Sequence, residues 1–98
     1  MRGRGAYIPG LAFAEIEVES PAGYIDVLNK SVIIEIKEFS QWKHALGQIL
    51  SYGRYYQNHN KIVYLFGDAD LEKINMIRDI YIEYNVELKI YVEKWISI

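Results

Sequence analysis

The sequence predicts an α/β domain with a mixed central sheet, and three observations point to it. Three segments with strand character stand in succession at residues 13–20, 24–28 and 32–39. Two later segments, residues 41–59 and 68–85, repeat apolar side chains at helical spacing. Each of these is followed by a further strand-like run, KIVYLFG and then VELKIYV. The order is β-β-β-α-β-α-β: a meander feeding a crossover helix, which builds a mixed sheet with helices packed on it. With 98 residues, 51% of them hydrophobic, the chain has material for one modest core. We place an amino-terminal arm at residues 1–12 and a single domain at 13–98.

The arm is read from Gly3, Gly5, Pro9 and Gly10, which break any helix. FAEIEVES alternates strictly, placing Ile16 and Val18 on one side and Glu15, Glu17 and Glu19 on the other. A turn, SPAG, leads to YIDVL, and a tight NKS connection leads to VIIEIKEF, which is rich in β-branched residues and apolar on both faces. Ser40 is the expected N-cap of the first helix. On that helix Trp42, Ala45, Leu46, Ile49, Gly53 and Tyr56 form an apolar face, and Gln41, His44, Gln48, Tyr52 and Tyr55 form a polar-aromatic stripe beside it. Gly47 and Gly53 each cost this helix about 1 kcal/mol relative to alanine, which calls either for close packing or for the close approach of another molecule. Asp70 is the expected N-cap of the second helical segment.

Composition excludes several functions. The absence of cysteine removes disulfides, thiolate metal sites and cysteine nucleophiles, and two histidines argue against a histidine-rich zinc site. No apolar run approaches the roughly 18 residues of a membrane span. The expectation is therefore a soluble, intracellular protein that makes no use of a membrane. The net charge of -2 hides an uneven distribution: residues 39–67 contain no acid, while six acids precede them and seven follow. A basic middle between acidic flanks suits a face turned toward an anion.

Asp26 stands mid-strand, and Glu35 and Lys37, two residues apart on the next strand, share a face. If those strands pair as a hairpin, Asp26 stands near Glu35. Two carboxylates at one point repel unless a cation lies between them. Mg²⁺ suits such a site, with Mn²⁺ as a substitute, because it prefers oxygen ligands. A neighbouring lysine can orient or help deprotonate water, or stabilise charge on a phosphate. The implied chemistry is metal-assisted hydrolysis of a phosphodiester. The same three residues would also make a salt-bridge cluster on a sheet face.

GYIDVL, then IIEIK with eight residues between Asp26 and Glu35, then a helix containing GQILSY, resembles the PD-(D/E)xK nuclease superfamily with its restriction endonuclease-like core. The resemblance implies that Asp26 and Glu35 are metal ligands, joined by the backbone of Ile36, and that Lys37 is the catalytic lysine. It adds Gln48 to the catalytic set and Tyr52 beside it, since both match the Q-x-x-x-Y element of some branches. The proline of the motif is replaced here by Tyr24 and Ile25, and the family's helix before the meander, with its glutamate, has no counterpart. Glu15 and Glu17 are the candidates to replace that glutamate. The resemblance implies a Mg²⁺-dependent deoxyribonuclease acting on DNA, as a homodimer if both strands are cut. Lys43, His44, Arg54 and Lys61, with Arg2 and Arg4 of the arm, are the expected phosphate contacts. The alternative is an inactive module of the same fold that binds DNA or a protein partner.

Overall fold

The structure, a computed structural model, describes residues 4–8 and 12–91. In chain order the elements are β1 (Arg4–Ile8), β2 (Ala12–Ser20), β3 (Gly23–Leu28), β4 (Val32–Glu38), α1 (Trp42–Gly53), β5 (Asn60–Phe66), α2 (Ile74–Glu83) and β6 (Val86–Tyr91). They form one six-stranded sheet in sequential order, antiparallel from β1 to β4 and parallel from β4 to β6. The mixed sheet and its helices are as expected. Among the described residues no helix is long and apolar enough to cross a membrane.

The parallel half follows from chain connectivity. β4-α1-β5 and β5-α2-β6 are successive crossovers of one hand, which leaves both helices on the same face. Ala45, Leu46, Ile49, Ile77 and Tyr81 from the helices accordingly join Ile25, Ile33, Val63 and Leu65 of the strands in one core. A second, smaller cluster of Ala14, Val27, Ile34 and Ile62 is built from strand residues only. Ile33 and Ile34 are adjacent on β4 and belong to different clusters, which confirms that this central strand is apolar on both faces.

Four expectations need correction. Residues 4–8 of the supposed arm are a strand, paired along β2 from Arg4↔Ile16 to Ile8↔Ala12. Glycine breaks helices but does not forbid an edge strand, and the exposed Phe13 ring lies over Gly5, where a side chain would collide with it. Ile16 and Val18 do not share a side: Ile16 packs on the smaller cluster and Val18 in the main core. The alternation slips at Glu17, whose φ is 55°, and slips again across the pair at Asp26, since Ile25 and Val27 also separate between the two clusters. Ser40 is not the cap of α1, because a 3₁₀ turn at Phe39–Gln41 precedes the helix and Gln41 occupies the N-cap position. Tyr52 belongs to the core rather than to a polar stripe, being 1% exposed. Asp70 does cap, accepting from the Glu72 amide ahead of the turn Leu71–Lys73.

Side chains lock the turns that set the register. Ser20 Oγ donates to the Gly23 carbonyl and accepts from the Ala22 amide. Asn29 Oδ1 accepts from the amides of Ser31 and Val32. Gly23 has φ 124°, a conformation that L side chains rarely adopt. Gly23→Ala is therefore expected to destabilise the domain by about 1–3 kcal/mol, measured as a lower urea midpoint with an unchanged slope.

Candidate functional site

The candidate site lies where the β3–β4 ladder opens. The two strands pair at Leu28↔Ile33 and Val27↔Ile34. At the next level stand Asp26 and Glu35, and there the Asp26 carboxylate takes over: its Oδ2 accepts from the Ile36 amide at 2.8 Å. β4 runs on beside β5 as far as Glu38↔Phe66. Asp26 thus sits in the fork, fixed by a backbone donor of the strand that carries the other two residues.

Glu35 is 1% exposed. It shares its face of β4 with Ile33, toward the helices. Lys37, on the same face, places Nζ 3.6 Å from Glu35 Oε2, with about a third of its side chain exposed. Glu35 Oε1 is buried and, among the described residues, has no hydrogen-bond partner. Burial, and after it the charge of Asp26, pushes the Glu35 carboxyl up to about 7 against the opposing pull of Lys37. The register of β3 and β4 thus brings the two acids to one level, as the hairpin spacing predicted, close enough for the charge of Asp26 to act on Glu35.

Helix α1 closes the inner side. Gln48 Nε2 donates to the Tyr52 hydroxyl at 3.2 Å, and that hydroxyl donates to the Tyr24 carbonyl at 2.8 Å. A hydroxyl that donates to a carbonyl must accept from the amide, which fixes the orientation of Gln48. Gln48 Oε1 remains a buried acceptor without a partner. Burial pushes the Tyr52 phenol up to about 12, with smaller contributions from the charges of Glu35 and Asp26. Tyr52 is therefore the tie between α1 and β3, and its role beside Gln48 is positional. Tyr81 of α2 was not singled out from the sequence. It is buried, donates to the Trp42 carbonyl at 2.7 Å, and its phenol is also raised, by burial and then by Glu35. Its only sequence signal was its place four residues after Ile77 on the apolar stripe.

The donor set fits a hard divalent cation. Asp26 and Glu35 supply carboxylate oxygens, and a cation between them would give Glu35 Oε1 its missing partner and relieve the repulsion that raises the acid. Among the described residues, no group of three or more His, Cys, Asp or Glu is arranged to hold a metal. The protein donors would thus be two carboxylates; for Ile36 the structure gives the amide hydrogen bond to Asp26 and an exposed side chain. Of the two further acids, Glu17 falls at the level of Asp26 in the β2–β3 register, between Ile16↔Val27 and Val18↔Ile25. Glu15 pairs with Leu28 and lines a different cavity with Phe13, Lys30, Tyr56 and His59.

The expected phosphate contacts divide into two groups. Lys43 and His44, both exposed, line a groove of about 410 Å³ with Ala22, Gly47, Gln48 and Ser51, adjoining the site through Gln48. Arg54 lies just beyond the other end of α1. Lys61 pairs at the level of Ile33, away from Lys37, and lines a cavity with Asn58, Asn60 and Asn85. Arg2 and the side chain of Arg4 lie outside the described residues.

Three viral proteins resemble the chain. It is 47% identical over 74 residues to the putative KilA-N domain-containing protein L32 of Acanthamoeba polyphaga mimivirus, covering 76% of this chain and 20% of that protein. It is 42% identical over 76 residues to the putative KilA-N domain-containing protein R878 of the same virus, covering 78% of this chain and 21% of the relative. For the putative KilA-N domain-containing protein L33 the identity is 42% over 77 residues, 79% of this chain and 31% of the relative. The chain thus spans between a fifth and a third of the length of these curated relatives. No protein-family model matches it, and no solved structure does.

Proposed function

We propose that the chain is a DNA-binding module whose contact face is the exposed side of α1 next to Asp26, Glu35 and Lys37. The observation that carries this reading is the groove: among the described residues its lining includes Lys43 and His44 and no carboxylate, and through Gln48 it adjoins the Tyr52–Tyr24 link on the strand that carries Asp26. The relatives support it, since their names carry a KilA-N domain, a family of DNA-binding domains. Phosphates crossing α1 would meet Lys43 first and Lys37 at the fork.

A second and finer reading is Mg²⁺-dependent hydrolysis of the bound phosphodiester. It is favoured by one observation, the buried Glu35 with an unpartnered oxygen beside Asp26. Asp26 and Glu35 would hold the cation, which supplies Lewis-acid activation of water and of the phosphoryl oxygen. Lys37 is the mobile charge of the site, exposed enough to leave Glu35 for a phosphate and to offset negative charge as the bond breaks. The Ile36 amide holds Asp26 still, and Tyr52 holds Gln48. A second copy of the chain would bring the same groups to the other strand of a duplex.

The two readings separate in one experiment. Labelled duplex DNA is titrated with protein in EDTA, and the same complexes are then given Mg²⁺. Binding that weakens as salt rises is expected for the wild-type chain and for Glu35→Gln alike, and for Lys37→Ala with a salt slope lower by about one phosphate contact. Cleavage on adding Mg²⁺, abolished in both variants, supports the hydrolytic reading; binding without cleavage leaves the module. Absence of salt-sensitive binding would sink both.

A further inference from the structure

The two glycines of α1 have different explanations. A Cβ at Gly53 would stand 2.9 Å from Lys61 Cδ, so a side chain there would have to displace the Lys61 side chain that packs over it. A Cβ at Gly47 would meet nothing within 4 Å. Gly47 is exposed, its φ is not in the left-handed region, and it sits in the middle of a 12-residue helix. Among the described residues nothing packs on Gly47 to offset the loss of helix propensity.

The surroundings of Gly47 indicate what does. It lies in the groove with Lys43 one turn before it and Ser51 one turn after it, and His44 and Gln48 are its neighbours on the same side. The Ser51 hydroxyl donates to the Gly47 carbonyl at 2.9 Å, which draws that side chain in against the helix. The result is a strip of helix with basic side chains at one end and no side chain standing up in its middle. α1 carries no acidic residue.

We propose that Gly47 is kept bare so that the sugar-phosphate backbone of a DNA strand lies directly on α1, passing Lys43 and His44 on its way to Lys37. This rests on the DNA-binding reading and adds the path of the strand and the residue that permits close approach. Charge selects the occupant: a groove with a lysine, a histidine and no carboxylate favours a polyanion. Ser and Gly at the contact let the backbone of a strand, rather than its bases, come closest.

The test uses Gly47→Ala, with Gln57→Ala, at an exposed residue beyond α1, as the control. Unfolding temperature and the binding of a fluorescein-labelled duplex in EDTA are measured for each. Gly47→Ala is expected to raise the unfolding temperature by about 4–8 °C, the shift for a domain of this size when alanine replaces a helical glycine. The same variant is expected to bind the duplex roughly tenfold more weakly, as for the loss of one good contact. Gln57→Ala should do neither. Lys43→Ala should lower the salt slope of binding by about one phosphate contact. A Gly47→Ala chain that binds as wild type does, or that is less stable, overturns the proposed path while leaving the DNA-binding reading intact. A wild-type chain that binds no duplex overturns both.

Discussion

Glu35→Gln is expected to unfold at a higher temperature than the wild-type chain above neutral pH, and at about the same temperature near pH 5. The sign follows from burial. The Glu35 carboxyl has an ordinary value of 4.5 and is held at about 7 in the folded chain. The folded state therefore keeps a proton that the unfolded state releases. The stability this group contributes is full below about 4.5 and is lost as pH rises through about 7. The difference is on the order of 3 kcal/mol, at about 1.4 kcal/mol per pKa unit. Glutamine keeps the shape, needs no proton, and offers Asp26 a donor in place of a second charge. Lys37 loses its partner, but a partly exposed ammonium pays little for that.

Mg²⁺ turns the same variant into a test of the metal. A cation bound between Asp26 and Glu35 neutralises the charge that burial penalises, so it should raise the wild-type unfolding temperature at about pH 8. The gain is about 2.7 kcal/mol when the ion is present at a hundred times its dissociation constant. Glu35→Gln should lose that response. A wild-type chain whose stability does not change between about pH 5 and pH 8 would remove the raised acid from the account. An equal Mg²⁺ response in Glu35→Gln would place the ion elsewhere.

The legible part of this molecule was the part governed by periodicity and connectivity. VIIEIKEF has apolar residues at both parities, and β4 contributes Ile33 to one cluster and Ile34 to the other. The short NKS connection put Asp26 level with Glu35, and the observed pairing of Val27 with Ile34 leads to the same level. Side-chain competition for backbone groups was not legible. Asp26 intercepts the Ile36 amide and so opens the ladder, which residue type alone does not reveal. The slip at Glu17 is a single backbone rotation with no local glycine to announce it. β1 was hidden because its one glycine, Gly5, and the glycines around it read as breakers, although an edge strand tolerates them. Tyr52 lies beside the apolar face at helical spacing, and its ring could be buried because the Tyr24 carbonyl and Gln48 satisfy its hydroxyl.

Tyr52→Ala should be the more damaging of two changes at that residue, costing about 3–5 kcal/mol for the cavity left by a buried aromatic ring. Against a domain stability of about 5–15 kcal/mol this removes a large share, and the urea midpoint should fall accordingly. Tyr52→Phe keeps the ring and removes only the hydroxyl, so it isolates the polar link. The Tyr24 carbonyl then loses its donor and Gln48 its acceptor, at a cost of about 1–3 kcal/mol. On the hydrolytic reading, cleavage should fall more than DNA binding does, because Gln48 is released while Lys43 and His44 are untouched. A Tyr52→Phe chain with wild-type stability would show that the link carries no load, and one that lost binding and cleavage equally would make Tyr52 a support for the fold alone.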